Sequence, residues 1–216
     1  PGLLLGLSAA GNAIDMHDDN AMAWPDTFVA RVEALALLQT LNANLLGHDS
    51  ATQILGEWCR DHQLAHDPHI VVQRVRDRNS PASEAQRQEL RVASTEEVRY
   101  RHVRLLCGPL VLSEADNWYV PARLTEAMNS TLDGSDAPFG RVVQPLGFHR
   151  QTRAVELPWQ PLPDDWSSRQ RALADQPAAP PPDIVLVHRA VLLLGDGTPF
   201  SYVIERYRRE ALRRAD

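Results

Sequence analysis

Two parts of this chain each consist of a pair of β-rich runs joined by a turn of only a few residues. Val98 to Leu106 alternates β-friendly with charged side chains, Cys107, Gly108 and Pro109 make a turn, and Leu110 to Val120 returns before Pro121 ends the run. Ile184 to Leu194 and Phe200 to Tyr207 are joined by the segment GDGTP, and Asp-Gly between β-rich runs is a strong hairpin signal. Connections this short can join only antiparallel neighbours, because a parallel pair needs a crossover of a dozen or more residues. No βαβ rhythm supports a dinucleotide-binding sheet.

The residues ahead of these hairpins are helical in texture. From Pro25 to Leu46 the apolar side chains Phe28, Val29, Val32, Leu35, Leu38, Leu41 and Leu45 recur at helical spacing, with Asp26 or Thr27 placed to cap. His48, Asp49 and Ser50 break the pattern. Ser50 can then cap a second helix from Ala51 to about His62, and Asp49 is read as a further capping carboxylate. Ile70 to Val75 reads as a strand and Asn79 to Ser94 as a loop or short surface helix. The pattern further predicts a helix from Ala122 to Leu132, a loop from Asp136 to Gly140, and a strand from Phe148 to Leu157. A modest helix near Ser167 to Ala174 and a polyproline-like spacer from Pro177 to Pro182 follow. Glu205 to Arg214 reads as a frayed, solvated terminus. Together these describe an α+β chain: a single domain over 25–216, with a mostly antiparallel sheet covered on one face by helices.

Residues 1–24 form a separate leader. Gly2 to Ala13 is an apolar stretch ending in small side chains, which fits an export signal or an ordinary apolar helix, and it is too short to span a bilayer. Both readings stay open. Stable membrane insertion is not expected.

Composition removes several function classes. All 22 basic residues are Arg and none is Lys, so a Schiff-base enzyme, a P-loop and a protein kinase lack their amine. A net charge of −6 argues against a nucleic-acid partner. Cys59 and Cys107 are the only cysteines, enough for one bridge but not for a thiolate zinc site. Cys59, His62, His66 and His69 have ligand-like spacing, but they cross a helix end and a Pro-bearing loop, and a His-rich surface loop is the preferred reading. No metal and no cofactor are expected. Neither a G-x-S-x-G elbow nor an H-E-x-x-H helix occurs.

On an antiparallel sheet with one covered face, polar residues at inward positions are the site candidates. Arg101 and Arg104, three apart on one strand, face opposite sides, so only one looks into the covered space. An inward guanidinium needs an anion, from the protein or from a ligand. Glu205 on the last strand is placed either to be that anion or to orient a ligand hydroxyl, and an internal Arg-Glu pair with no ligand is the plain alternative. Trp118 and Tyr119 point to opposite faces, the inward one being read as core.

One ordered series of short pieces is informative as a set: HDSATQIL at His48 to Leu55, YRHVRLLC at Tyr100 to Cys107, then WYVP, then APFG at Ala137 to Gly140, then GDGTPFSYVIE ending at Glu205. Between Phe28 and Tyr207 this series resembles the chorismate pyruvate-lyase family, whose fold is shared with the UTRA-like ligand-sensing domain of GntR-type regulators. The resemblance implies a single α+β domain and elimination of pyruvate from chorismate to give a hydroxybenzoate, without metal or cofactor. It implies that Arg101 grips the substrate carboxylate and Glu205 contacts the product hydroxyl, both as catalytic residues. Ala51 and Phe139 would wall the pocket, and Arg104 would replace Arg101 if the register were off by one. Ala51 and Phe139 depart from the Met and Leu of the lyase pattern. Glu205 lies one residue further from its turn, so a bulge is expected in that hairpin.

Aromatisation supplies the driving force of such a lyase, so its residues have mainly to hold a dianion dry and oriented. The alternative is a non-catalytic domain of the same fold that binds a small carboxylated, aromatic or pre-aromatic molecule, and a third reading is a purely structural exported protein. Chorismate is cytoplasmic, so a working lyase would sit there, whereas an export signal would favour the binding module. No helix-turn-helix precedes the domain in this sequence, so a complete GntR-type regulator is not expected.

Overall fold

The computed structural model describes residues 27–168 and 180–213. The leader, with its two open readings, and most of the helix expected near Ser167 lie outside them; of that helix, a 3-10 turn at Trp166–Ser168 is described. Thr27 caps α1 (Phe28–Leu46), its hydroxyl accepting from Ala30 N at 3.2 Å. Ser50 caps α2 (Ala51–Asp61) in the same way. Asp49 does not cap; its Oδ1 instead accepts a hydrogen bond from Arg150 N at 2.7 Å, far along the chain. The sheet comprises β1 (Ile70–Val75), β2 (Arg99–Cys107), β3 (Leu110–Tyr119), β4 (His149–Glu156), β5 (Ile184–Leu193) and β6 (Pro199–Arg208). Its order is β1-β2-β3-β6-β5-β4, antiparallel at every pairing. The two expected hairpins, β2-β3 and β5-β6, meet through the β3-β6 pairing.

Both hairpins carry an extra residue near the turn, and β5-β6 carries another at its far end, where Ile184 faces Arg208 and Leu186 faces Tyr207, leaving Val185 over. Leu105 faces Ser113 while Leu106 faces Val111, leaving Leu112 over, and Leu192 faces Ser201 while Leu193 faces Pro199, leaving Phe200 over. The second is the bulge expected ahead of Glu205. A bulge changes which face later side chains occupy, so it decides where Glu205 points.

Helices α1 and α2 lie on one face of the sheet. Leu38, Leu41 and Leu45 of α1 and Leu55 and Trp58 of α2 bury against Leu105, Leu112, Leu186 and Tyr207. At roughly 1.5–3 kcal/mol for each fully buried large apolar side chain, this contact dominates the stability of the domain. A disulfide between Cys59 of α2 and Cys107 of β2, 48 positions apart, fixes the helix to the sheet covalently. The other face is partly covered by α3 (Glu84–Leu90), whose Leu90 packs with Trp118, Val191 and Tyr202. Trp118 and Tyr119 are thus both buried, on opposite faces.

Three boundaries differ from the sequence expectation. The helix expected from Ala122 is a 3-10 turn at Pro121–Arg123 followed by α4 (Glu126–Gly134), which starts late because the Thr125 hydroxyl accepts from Met128 N and caps it there. The loop expected from Asp136 to Gly140 turns helical at Phe139, where α5 (Phe139–Val143) begins. The C-terminal segment is not solvated: Ala211 and Leu212 are buried, and Ala211 O accepts from the Trp58 indole at 2.7 Å. Within its mixed charges lie two apolar residues that pack into the main core beside α2.

Candidate functional site

Between the sheet and the start of α2 lies a pocket holding about 650 Å3 of space, the open mouth included. Its floor is sheet. Arg101, Asn117 and Val203 are successive cross-strand partners, and so are Val103, Ala115 and Glu205, so two adjacent rows present the same face upward. Leu105 and Leu192 extend this floor. One rim is the turn Asp49-Ser50 with the first residues of α2, Ala51 and Thr52, and the other is Pro138, Phe139 and Gly140. A Cβ on Gly140 would stand 3.7 Å from Ser50 Oγ, so the two rims nearly touch. Phe139 is itself held by ring contacts with Tyr119 at 5.4 Å and Phe200 at 6.4 Å between centroids.

Of the residues expected to form the site, Arg101, Glu205, Ala51 and Phe139 all line this one pocket. Arg104 does not: it lies on the opposite face of the sheet, its side chain 43% exposed beside Glu114. Arg101 and Glu205, however, are not partners of each other. Arg101 is 2% exposed, and its terminal nitrogens donate to main-chain carbonyls: Nη1 to Leu132 O at 2.6 Å, Nη2 to Ala137 O at 2.9 Å, and both to Ser135 O. The guanidinium thereby caps the carbonyl end of α4 and anchors the segment that leads into the Phe139 rim. Burial, and then Arg74, lower its pKa to about 10, so it keeps its charge at neutral pH.

The ionic partner of Glu205 is Arg150, at 2.6 Å from Arg150 Nη2 to Glu205 Oε2, with both side chains buried. Tyr207 donates its hydroxyl to the same oxygen at 2.8 Å. Burial alone would raise the Glu205 pKa, yet Arg150 beside it holds the carboxyl below its usual range. The converse applies to Tyr207, which burial and the Glu205 charge together push well above its usual value. His188 lies on the next strand opposite Glu205, edge-on to the Tyr207 ring, with Nε2 2.8 Å from Asn42 Oδ1 of α1. Burial lowers its pKa to about 4, so it is neutral at neutral pH.

Arg150 was absent from the sequence-derived candidates, although its signal was present. The strand expected from Phe148 to Leu157 carries it, and Arg150 pairs with the pocket-lining Leu192, which places it on the inward face. Asn117 was missed likewise: its amide oxygen accepts from Ser201 Oγ at 2.7 Å, and the residue lines the pocket.

Among the described residues, no group of three or more His, Cys, Asp or Glu side chains could hold a metal ion, and the Cys59 sulfur is bonded to Cys107. None of the described helices is long and apolar enough to cross a membrane. Chemically the pocket is an apolar floor with a guanidinium on each side. Arg150 is countered by the Glu205 carboxylate, whereas Arg101 hydrogen-bonds only to carbonyls, with Asp136 acting on it from further away.

Fold and site together define an α+β domain with a six-stranded antiparallel sheet and one polar-walled pocket. The chain belongs to the family of the "Uncharacterized protein y4mC" of Sinorhizobium fredii (strain NBRC 101917 / NGR234), to which it is 50% identical over 192 residues, 88% of this chain and 81% of that protein. No family model matches the sequence. Solved structures similar to it include the following. PhnF from Mycobacterium smegmatis is 16% identical, with a TM-score of 0.49 over 79% of this chain and 67% of that one, and the effector domain of PhnF gives 0.47 over 74% and 88%, also at 16% identity. The "possible transcriptional regulator YydK" from Bacillus subtilis is 17% identical at 0.40, and the match spans 68% of this chain and 62%, less than two thirds, of that one. At scores this low the likeness describes the neighbours and supports nothing further about this chain.

Proposed function

We propose that this domain is a non-catalytic receptor for a small organic acid, bound between the two guanidinium corners of the pocket. The observation that supports it is two buried guanidinium groups lining one pocket: Arg101, hydrogen-bonded to carbonyls and to no carboxylate, and Arg150, with one terminal nitrogen on Glu205. Two buried positive groups against one buried carboxylate leave the pocket suited to an anion, and an acid bound there would add that charge while the apolar part of the lining takes its hydrocarbon. In this reading Glu205 accepts a hydroxyl or amine of the ligand, and Ala51 and Phe139 set the width of the pocket.

The lyase implied by the resemblance uses the same four residues. In either reading Glu205 Oε2 already accepts from Arg150 and Tyr207, which leaves Oε1 for the ligand, so Glu205 does not separate the two. The disulfide favours the receptor, because such bonds persist in oxidising compartments, where a cytoplasmic metabolite would not be met. Incubating the protein with chorismate while following pyruvate and 4-hydroxybenzoate separates the two readings. We expect no turnover, together with a rise in melting temperature when benzoate or other monocyclic acids are added. Turnover that is lost in Arg101→Ala would establish the lyase instead.

A further inference from the structure

We infer that Arg150 is the residue that selects for a charged ligand, and that Arg101 acts as a positioning residue for the Phe139 rim. This rests on the receptor reading above and assigns the parts within it. The two guanidinium groups differ in what they have already spent. Arg101 uses both terminal nitrogens on three carbonyls at the end of α4, all within the segment 132–137 that runs into the rim. Arg74 and Arg76 bind the same segment, Arg74 donating to Leu132 O and Asp133 O and Arg76 to Asp133 O and Asp136 Oδ1. Arg101 is thus the innermost of three guanidinium groups that latch one wall in place.

Arg150 is held differently. Its side chain is 4% exposed and its one side-chain hydrogen bond among the described residues runs from Nη2 to Glu205. The Nε atoms of Arg150 and Arg101 are alike buried with no partner, so the difference is that Arg101 has both terminal nitrogens engaged and Arg150 one. The backbone N–H of Arg150 is fixed by Asp49, at the rim where α2 begins. A guanidinium presents its donors as a planar fork, so holding Nη2 on a carboxylate and the main chain on Asp49 leaves the rest of the fork fixed in direction. Nη1 of Arg150 makes no hydrogen bond among the described residues, so it is the donor left for a ligand oxygen. An anionic oxygen gains most, since charge-assisted bonds to Arg are about twice as strong as neutral ones. Glu205 serves here as the counter-charge that keeps Arg150 buried when the pocket is empty.

The test compares benzoate with benzamide, which have the same ring but differ in charge, by calorimetric titration of the disulfide-intact protein. We expect wild type to prefer benzoate by at least roughly 30-fold, as a charge-assisted fork requires. Arg150→Gln should bring the two probes to within about threefold of each other. Arg101→Gln should weaken both probes while keeping the preference for charge. Arg150→Gln leaves Glu205 without its counter-charge, so the double variant Arg150→Gln/Glu205→Gln, which keeps two amides in hydrogen-bonding reach, provides the same comparison without an unpaired carboxylate, Arg101 being unchanged. A preference that survives loss of Arg150 but collapses in Arg101→Gln would overturn this assignment and leave the receptor standing. Wild type binding neither probe would overturn the receptor and the assignment together.

Discussion

The strands β3 and β6 bury two carboxylates, one on each face of the sheet, and both are furnished with an Arg, a Tyr and a His. On the face away from the pocket, Asp116 receives the Tyr100 hydroxyl and His102 Nδ1 on Oδ1 and Arg206 Nη1 on Oδ2. On the pocket face, Glu205 takes Arg150 and Tyr207 on a single oxygen, and the histidine of its set, His188, turns its bond to Asn42 instead. Burial pushes both carboxyls up, and in both the direct partners win and hold them below the ordinary range. The same kit therefore yields two outcomes. Around Asp116 three different side chains divide two oxygens and the cluster is closed; around Glu205 the partner guanidinium keeps a buried donor unused at the wall of a cavity. A closed cluster contributes to stability, and one left incomplete beside a pocket is positioned for a ligand.

The contrast predicts different consequences for removing the two carboxylates. Asp116→Ala strands three donors at once and should destabilise the domain toward the upper end of the roughly 3–5 kcal/mol seen when one partner of a buried pair is deleted. Benzoate affinity of the folded protein should stay unchanged. Glu205→Ala should lower both stability and affinity. Urea unfolding read beside calorimetric titration checks the pair, and an Asp116→Ala protein that binds benzoate tenfold more weakly would break the division between faces.

The second consequence concerns the disulfide, which ties α2 to β2 on the pocket face only. A bridge spanning 48 positions constrains the unfolded chain by about 4 kcal/mol in the loop-entropy picture. Cys59→Ala/Cys107→Ala should lose that much in urea. Its native-state amide exchange should quicken in α2 more than around Asp116, because α2 alone loses its covalent attachment. Uniform quickening on both faces would show that the sheet, not the bridge, holds the pocket.

How much of this was legible in advance follows from what each feature depends on. The hairpins, the order of elements and the caps Thr27 and Ser50 are local, set by residues within a few positions of one another, and the sequence pattern shows them directly. Parity along β2 correctly separates Arg101 from Arg104, because a strand's period of two is fixed by its backbone. Pairing is another matter. That Glu205 meets Arg150 requires β4 to lie beside β5 and the arginine to reach past that strand to β6, a contact between residues 55 positions apart that no local pattern encodes. The carbonyls that saturate Arg101 are equally invisible, since main-chain acceptors belong to every residue. Asp49 was misread for the same reason: a carboxylate just ahead of a helix resembles a cap until a distant N–H claims it.

The smallest effect, and the one that reads the pocket face most selectively, is the response to acid. His188 is buried, and burial lowers its pKa to about 4 from an ordinary 6.5. Between those values the unfolded chain binds a proton that the folded one refuses. Stability is then complete above about pH 6.5 and falls as the pH drops toward 4, by at most about 3 kcal/mol. Glu205 and Asp116, both depressed, contribute stability that is lost only further down, as the pH falls through and below the ordinary carboxylate range. The decline from pH 6.5 to 5 is therefore carried by histidine, with His62, also lowered by burial, acting in the same direction. His188→Gln, which retains a donor toward Asn42, should flatten that part of the curve in urea titrations at successive pH values. An unchanged slope in His188→Gln would mean that protonation at His188 is absorbed without cost, and that the network around Glu205 is less closed to water than its burial implies.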